Sequence, residues 1–363
     1  MSSVIASTRF SVLDRSRTRE GHETAGALRD TVDLAREAEA LGFHRFWVSE
    51  HHGVPGVAGS APTVLAAAVA AATSTIRVGT GGVMLPNHRP LVVAEQFGVL
   101  ASLFPGRIDM GLGRSVGFTD GVRRALGHGK EDAEDFPGRL TELLGWIDGT
   151  QQAHPGVHAH PAEGLRIPAY VLAIGEGASV AAAAGLPLVI GDLRGRDKVL
   201  RAIEVYRRDF RPSARAEHPE VIVAGTVAVA GTEEAARRLL VPEAWAMAYS
   251  RTHGDFPPLA PAEEIGRRTM TAKERELYER GLDGHIHGTE DQVTEQLERA
   301  IKETGADEVL VTTSTYDREA LVDSLRRLAG LARPQGRSDE RDPSPHPGGR
   351  TAGPHPAATG VDA

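Results

Sequence analysis

The chain has 363 residues, a formal net charge of −8 and no cysteine, and these properties exclude several classes of protein. Without cysteine it forms no disulfide bond and uses no thiolate as nucleophile or metal ligand. The acidic balance, with no basic cluster to reverse it locally, argues against a nucleic-acid partner. No run of about 18 apolar residues and no signal-peptide pattern is present, so we expect a cytoplasmic protein without a membrane span.

The first third of the sequence alternates short apolar segments, typical of strands, with segments of helical periodicity. The predicted strands are 10–14, 43–50, 76–85 and 107–114. The predicted helices between them are 24–41, 62–73 and 90–103. In the first helix Leu28, Val32 and Ala35 recur at helical spacing, and Gly42 follows where a C-terminal glycine is expected.

The same alternation returns after residue 136. Further strands are predicted at 169–174, 186–190, 221–229 and 307–313. Further helices are predicted at 137–148, 177–184, 196–210, 289–304 and 317–331. Such a repeat makes the strands parallel, and eight of them are the count of a (β/α)8 TIM barrel, an α/β fold. An open doubly wound sheet would need a glycine-rich turn after its first strand, and residues 14–17 contain no glycine.

Two stretches, 115–136 and 241–283, break the rhythm where strand-to-helix loops belong, and the second contains four prolines. Long insertions at these loops usually shape the mouth of the site. We therefore expect substrate contacts from them. The candidate side chains are Phe118, Trp245, Tyr249, Arg251 and Phe256.

The C-terminal segment differs in composition from the rest. After Leu331 the sequence contains no Leu, Ile, Phe, Tyr, Trp or Met. Such a segment buries too little apolar surface to offset the entropy lost on ordering. Residues 1–331 are therefore predicted to form the barrel domain, and residues 332–363 a disordered tail rich in proline and glycine.

Polar and glycine residues follow several predicted strands. In a parallel barrel all strand C-termini lie at one end, where these residues should converge on one site. They are Glu50, His51, His52, Gly81, Gly82 and Arg114.

The adjacent histidines allow three interpretations. Neighbouring strand residues point to opposite sides, so only one of His51 and His52 should face the barrel axis. A histidine near a reactive centre serves as a neutral hydrogen-bond donor or proton shuttle. A metal site would need a further ligand, for which Asp14 or His88 is available. A packed histidine that only satisfies backbone groups is the third interpretation.

Glycines and one arginine indicate a ligand with a flat ring and an anion. Glycine within a central strand marks a bulge, a close approach of ligand, a non-proline cis peptide bond or tight wall packing. Arg114 suits a phosphate or carboxylate, or else a salt bridge to Asp120 or Glu50. The turn containing Gly175, Gly177 and Ser179 leads into a helix, whose free amides bind anions.

Several segments together resemble the bacterial luciferase-like flavin-dependent monooxygenases. They are 46–52 (FWVSEHH), 76–88 (IRVGTGGVMLPNH), 94–97 (AEQF), 104–114 (FPGRIDMGLGR), 288–293 (GTEDQV) and 306–311 (ADEVLV). The resemblance covers about residues 8–331 and is most specific in the first third of the chain. It implies a (β/α)8 barrel that uses reduced FMN and O2. It also implies a separate NAD(P)H-dependent flavin reductase as partner, and a homodimer.

The resemblance also implies roles for single residues. By position, His51 is similar to the active-site histidine of the family, with Glu50 and His52 as its catalytic neighbours. Gly81 and Gly82 fall where the family holds a non-proline cis peptide bond beneath the flavin ring, and Arg114 matches its phosphate-binding arginine. The other half of the phosphate cradle would be Gly175, Gly177 and Ser179, in a turn that is shorter here than in the family. No metal is implied.

The expected function is therefore the oxidation of a small organic substrate, such as a secondary metabolite, by an FMN-dependent monooxygenase. Two alternatives stay open. One is a deazaflavin-dependent oxidoreductase of the same fold. The other is a non-catalytic flavin-binding subunit that pairs with a catalytic partner.

Overall fold

A closed barrel of parallel strands forms the centre of the computed structural model, which describes residues 4–175, 177–191 and 195–332. The strands are β1 (Arg9–Asp14), β2 (Arg45–Val48), β3 (Arg77–Thr80), β4 (Val83–Met84), β5 (Ile108–Gly113), β6 (Ala169–Ala173), β7 (Leu188–Gly191), β8 (Val221–Gly225), β9 (Val227–Val229), β10 (Ile286–Gly288) and β11 (Glu308–Val311). The ring closes because β1 pairs with β2 and β11, and β3 pairs with both β2 and β5. With β4 as the continuation of β3, the barrel has eight strands, and the predicted (β/α)8 fold is confirmed.

Helices connect the strands around the outside of the barrel. They are α1 (Val4–Ser7), α2 (Thr24–Leu41), α3 (Pro62–Ala72), α4 (Pro90–Leu103), α5 (Asp120–Ala125), α6 (Phe136–Asp148), α7 (Gly177–Ala184), α8 (Arg196–Asp209), α9 (Glu233–His253), α10 (Ala262–Arg267), α11 (Ala272–Leu282), α12 (Glu290–Thr304) and α13 (Arg318–Ala332). No helix among the described residues combines the length and apolar character needed to cross a bilayer.

The prediction of an irregular insertion at 241–283 is wrong in its secondary structure. This stretch holds the second half of α9, then α10 and α11. Pro242 lies inside α9, where it removes a backbone hydrogen bond, but Leu240 and Ala244 on the same helix are buried. A capping box between Thr271 and Glu274 starts α11. Burial of an apolar face therefore overrides the helix-breaking effect of proline.

Two predicted boundaries also change. The predicted strand 221–229 divides into β8, which belongs to the barrel, and β9, which pairs with β10 in a separate two-stranded sheet. Ala332, which was predicted to begin the tail, is the last residue of α13. The rest of the predicted tail, from residue 333, lies outside the described residues.

The barrel interior is apolar at mid-height because inward positions alternate along each strand. The side chains that fill it belong to Leu13, Trp47, Tyr170, Val189, Ile222, Ala224 and Leu310. A second, larger apolar core lies between the strands and the surrounding helices. The inward residues above and below the interior layer are therefore free to be polar.

The N-terminal end of the barrel is closed by an ionic cluster, here called the floor cluster, made of Arg45, Arg77, Asp109 and Glu308. Asp109 accepts hydrogen bonds from Arg45 Nη1 at 2.9 Å and from Arg77 Nε at 3.1 Å. Glu308 accepts one from Arg45 Nη2 at 2.9 Å. Two arginines face two carboxylates, so the charges balance and the floor cluster carries no net charge.

Candidate active site

A cavity of about 1000 Å³ opens at the C-terminal end of the barrel strands. Six of the predicted site residues line it, as the parallel topology required: Glu50, His51, His52, Gly81, Gly82 and Arg114. The other three, Gly175, Gly177 and Ser179, do not line the cavity, although Ile174, which directly precedes them, does. Glu176 lies outside the described residues.

Glu50 is buried in this end of the barrel and holds two histidines. Its Oε1 lies 2.6 Å from His52 Nε2 and 2.9 Å from His88 Nε2, and its Oε2 accepts from the Met84 N–H at 2.9 Å. Burial raises the pKa of this carboxyl, but the hydrogen bonds from His52 and His88 outweigh burial and lower the pKa to about 2. Glu50 is therefore an ionised acceptor at neutral pH.

The same three residues offer ligand atoms within 4.8 Å of one another and are the one group among the described residues that resembles a metal site. Asp14, the other candidate ligand, lies elsewhere and accepts hydrogen bonds from Ser16 and Thr31. A metal would require both Nε2 atoms to be deprotonated, yet both face an ionised carboxylate at hydrogen-bonding distance. Hydrogen-bond accounting therefore favours a positioning network that needs no metal.

Both histidines line the cavity, so the prediction that only one faces the barrel axis is wrong, and His51 is the one that interacts with the charged Arg15, Arg17 and Glu243. Its Nδ1 lies 3.2 Å from Ser49 Oγ. Burial lowers the pKa of His51 to about 4, and the positive charges of Arg15 and Arg17 lower it in the same direction. His51 is therefore a neutral imidazole at physiological pH, with one donor and one acceptor nitrogen.

Gly81 and Gly82 form a bare section of the cavity wall between β3 and β4. The peptide bond between them is cis, as the family resemblance implies. A Cβ at Gly81 would lie 2.6 Å from Leu13 Cδ1, and one at Gly82 would lie 2.7 Å from the Gly111 carbonyl oxygen. Wall packing thus admits only glycine here, and the lack of side chains exposes a flat stretch of backbone.

Two cationic side chains lie at the cavity rim. Arg114 does not pair with Asp120 or Glu50, as the salt-bridge alternative required; its Nη2 lies 3.9 Å from Glu134 Oε1. Lys198 on α8 also lines the cavity, and its Cε lies 3.0 Å from the Cβ position of Gly175. Sequence reasoning missed Lys198, because α8 follows β7 and only the tertiary fold brings it beside the turn after β6.

A second ionic group, here called the cavity cluster, consists of Arg15, Arg17 and Glu243. Glu243 lies 2.9 Å from Arg15 Nη1 and 3.3 Å from Arg17 Nε. Burial raises the pKa of the Glu243 carboxyl, but the two arginines outweigh it and hold the pKa below its usual range. Sequence reasoning missed all three residues. One signal was available, since Arg15 lies two residues after Leu13 and therefore also points inward.

Two of the five candidate side chains for substrate contact border the cavity. Phe118 and Phe256 line the cavity, with ring centroids 6.2 Å apart. Trp245, Tyr249 and Arg251 do not line it. The helical turn of α9 explains the difference. The face directed to the cavity carries residues at a spacing of three and four, namely Leu240, Glu243, Ala244 and Met247.

Residues 8–308 match the family described as luciferase-like monooxygenase. The chain belongs to that family. It is 36% identical over 318 residues to a luciferase-like monooxygenase of Escherichia coli K12, covering 87% of this chain and 94% of that protein. An N-acetyl-S-alkylcysteine monooxygenase of Bacillus subtilis is 37% identical over 243 residues, covering 64% of this chain and 71% of that protein. Luciferase-like monooxygenases are oxidoreductases.

Solved structures give the same result for the fold. The crystal structure of apo-MsnO8 has a TM-score of 0.78 and 30% sequence identity, covering 90% of this chain and 98% of that one. Two more distant structures share the fold alone. One is the oxygenating constituent of a 3,6-diketocamphane monooxygenase in complex with FMN, with 18% identity and a TM-score of 0.66. The other is an F420-dependent secondary alcohol dehydrogenase, with 15% identity and a TM-score of 0.66.

Proposed function

We propose that this protein is an FMN-dependent monooxygenase that takes reduced flavin and O2 and oxidises a small organic substrate in the cavity at the C-terminal end of the barrel strands. One observation carries the proposal: a neutral, half-buried His51, a side-chain-free wall at Gly81 and Gly82, and a cationic rim all border one cavity. When bound, reduced flavin supplies the two electrons with which one oxygen atom of O2 enters the substrate and the other becomes water.

The residues fit a flavin mononucleotide. Backbone without side chains at Gly81 and Gly82 accommodates a flat ring, as glycine does where a ligand approaches closely. Arg114 and Lys198 at the rim supply positive charge for a phosphate, together with the turn at Gly175. We assign the phosphate to this side of the cavity, with Gly177 and Ser179 at the start of α7 as further contacts.

The chain's own residues have distinct roles in this proposal. His51 stays neutral and holds or moves a proton at a ring nitrogen close to the flavin wall. Glu50 keeps His52, His88 and the Met84 amide in place, which fixes the strand that carries Gly81 and Gly82. The buried Phe256 excludes water from the space beside it, whereas Phe118 is half exposed.

The proposal is tested by anaerobic titration of the protein with reduced FMN, followed by exposure to ¹⁸O2 with a thioether probe. N-Acetyl-S-benzylcysteine is a suitable probe because one relative is named for an N-acetyl-S-alkylcysteine, a small molecule with a thioether and a carboxylate. Saturable binding of reduced FMN and a product heavier by one ¹⁸O atom are expected. The same titration with reduced coenzyme F420 is the matched control.

Other outcomes separate the alternatives. Binding of reduced F420 but not of reduced FMN would establish the deazaflavin-dependent oxidoreductase. Binding of FMN without oxygen transfer to any of a panel of thioethers, ketones and aromatic rings would favour the non-catalytic pairing subunit. Supply of reduced FMN by an added NAD(P)H:flavin reductase should replace chemical reduction, since the proposal takes the flavin as a diffusible substrate.

We also propose a homodimer formed through α3 and α4. Val64, Val92 and Leu103 are exposed large apolar residues on these helices, and Thr63 Oγ1 lies 3.1 Å from Gln96 Oε1 between them. An exposed apolar face of this kind marks a protein interface. Leu103→Glu should convert a dimer to a monomer in sedimentation velocity, whereas Leu28→Glu on α2 should not. A monomeric unsubstituted protein would refute the proposal.

A further inference from the structure

The cavity cluster differs from an ordinary buried salt bridge in its charge. Two arginines, Arg15 and Arg17, share the single carboxylate of Glu243, so these three side chains carry a net charge of +1. Asp14 also interacts electrostatically with both arginines, but burial raises the pKa of its carboxyl, which favours the neutral form. His51 beside the cluster is neutral and adds nothing to this charge. An uncompensated positive charge in a partly desolvated wall is costly unless an anion faces it.

The two arginines are not equivalent. Arg17 is 3% exposed in its side chain and lies behind the wall, where its guanidinium stacks 4.2 Å over the Phe256 ring. Its Nη2 donates to the Pro257 carbonyl oxygen at 3.3 Å. Arg15 lines the cavity, and its Nη2 donates to the Thr312 carbonyl oxygen and to Ser314 Oγ, each at 3.2 Å. Arg15 therefore carries the positive charge that faces the cavity, whereas Arg17 is shielded from it.

Hydrogen bonding in the cavity cluster is incomplete. Among the described residues, Arg15 Nε, Arg17 Nε and Nη1, and both carboxylate oxygens of Glu243 are buried without a hydrogen bond of good geometry. In folded proteins such atoms are rare, and each requires an explanation. Arg17 Nε faces Glu243 Oε2 at 3.3 Å and Glu243 Oε1 faces Arg15 Nη1 at 2.9 Å, so these atoms pair by charge. Arg15 Nε and Arg17 Nη1 remain, and both are donors that lack an acceptor.

The surroundings describe the rest of the ligand. The cavity wall near the cluster is built from apolar side chains: Val54, Leu240, Met247, Phe256 and Leu310. His51 is close enough to the cluster to interact electrostatically with Arg15 and Glu243. A ligand held by Arg15 thus has an apolar body, and it lies beside the histidine assigned to the reaction.

We propose that Arg15 binds the carboxylate of the substrate, with Glu243 and Arg17 as positioning residues, so that the enzyme acts on small organic acids with an apolar body. The two hydrogens of Arg15 Nη2 are taken by Thr312 and Ser314, but Nη1 carries two hydrogens and Glu243 takes one of them, so Nη1 can donate a charge-assisted hydrogen bond to one carboxylate oxygen. The inference rests on the proposed function, because it names the substrate class of the same cavity.

The test compares an acid with its amide. Binding of phenylacetate and of phenylacetamide to the full-length protein loaded with oxidised FMN is measured by isothermal titration calorimetry. The two probes have nearly the same shape and differ in charge. Phenylacetate is expected to bind at least about tenfold more tightly than phenylacetamide, because the amide cannot form the charge-assisted hydrogen bond with Arg15. Equal affinity for the two probes would overturn the proposal. So would the absence of phenylacetate binding up to about 20 mM, a concentration at which even a weak ligand binds.

Variants assign the effect to Arg15. Arg15→Leu should weaken phenylacetate binding at least about tenfold and leave phenylacetamide unchanged, and Arg15→Lys should fall between the two. Arg19→Leu is the matched control, since Arg19 lies in the same loop but pairs with Asp30 and does not line the cavity. Unaltered phenylacetate binding by Arg15→Leu would overturn the proposal.

A parallel titration of each variant with reduced FMN separates this inference from the proposed function. Unchanged FMN affinity in Arg15→Leu is expected. A loss of FMN affinity equal to the loss of phenylacetate affinity would mean that Arg15 holds the anionic reduced flavin itself, which overturns the substrate assignment. If the unsubstituted protein binds phenylacetate but no reduced FMN, the flavin assignment fails and the carboxylate site stands.

Discussion

The barrel carries an ionic cluster at each end, and the two clusters use the same residue types for different purposes. In the floor cluster Asp109 accepts hydrogen bonds from two arginines and from Trp47 Nε1 at 3.1 Å, deep in a closed interior. In the cavity cluster Glu243 is the single carboxylate for two arginines, at 2.9 Å from Arg15 Nη1 and 3.3 Å from Arg17 Nε, and it lines an open space. The number of carboxylates per arginine separates the two.

The difference teaches how a buried charge is to be interpreted. A cluster with balanced charges in a closed interior fixes the register of the strands that carry it, because breaking it leaves a buried charge unpaired. A cluster with one surplus cation beside a cavity retains binding capacity. Residue type alone does not distinguish the two, since both contain two arginines. The two clusters are distinguished by their access to a cavity and by the balance of their charges.

The largest expected effect tests the floor cluster. Asp109→Asn should lower the free energy of unfolding by about 3–5 kcal/mol, because it leaves the two arginines of the floor cluster with Glu308 as their one carboxylate and a buried positive charge unpaired. Glu243→Gln in the cavity cluster should cost about 1–2 kcal/mol, since the open cavity lets solvent screen the arginines. Urea denaturation measures both. The exposed Asp33→Asn on α2 is the control and should change stability by less than about 0.5 kcal/mol. Equal losses at Asp109 and Glu243 would remove the distinction between the clusters.

The next effect compares a rim cation with a floor cation. Arg114→Ala should weaken binding of FMN about tenfold or more and leave riboflavin binding unchanged, because only FMN has a phosphate. Fluorescence quenching of the two flavins gives both constants. Arg77→Ala in the floor cluster should lower stability without altering the ratio of the two affinities. An equal loss of FMN and riboflavin in Arg114→Ala would argue against the phosphate assignment.

A smaller effect appears in the pH dependence of stability. Burial lowers the pKa of His51 from the usual 6.5 to about 4 in the folded protein, so between these pH values the unfolded chain binds a proton that the folded protein does not. Stability should therefore fall as the pH decreases from 6.5 towards 4. His51→Gln should reduce this slope by about one proton, whereas replacement of the exposed His218 should not. Thermal denaturation across the range measures the slope.

Glu50 acts in a separate pH window. Its pKa is lowered from 4.5 to about 2, so the stability that it contributes is complete above pH 4.5 and is lost as the pH falls towards 2. Glu50→Gln should therefore remove pH dependence only below 4.5. A change of about one proton in the slope of stability against pH above pH 5 in Glu50→Gln would contradict this. It would mean that the hydrogen bonds from His52 and His88 do not lower the pKa of Glu50 as described.

The smallest expected effect concerns metal. Because Glu50, His52 and His88 satisfy one another by hydrogen bonds, treatment with EDTA should leave flavin binding and oxygen-dependent turnover unchanged. Elemental analysis of the purified protein provides the control. Loss of turnover on chelation, restored by one equivalent of a divalent ion, would contradict this and make the three residues a metal centre.

The sequence by itself determined the order of the elements. Period-two and helical patterns recovered all eight barrel strands and most helices, because each pattern reflects local burial on one face. Parallel strands then forced Glu50, His51, Gly81, Gly82 and Arg114 to one end of the barrel, without any knowledge of side-chain contacts. The prolines of 241–283 led to the wrong prediction of an irregular segment. The sequence shows the local cost of proline in a helix, but it does not show that α9 is buried against the barrel.

Only the tertiary structure decided which charges meet. Arg15 and Glu243 are 228 positions apart and pair because β1 and α9 border the same cavity. Lys198 reaches the turn at Gly175 for the same reason. Long-range pairing leaves no periodic trace in the sequence, since it depends on how the barrel closes. Local patterns therefore predicted the scaffold and the site residues that follow strands. Closure of the barrel added the residues that meet them from distant parts of the chain, namely Arg15, Glu243 and Lys198.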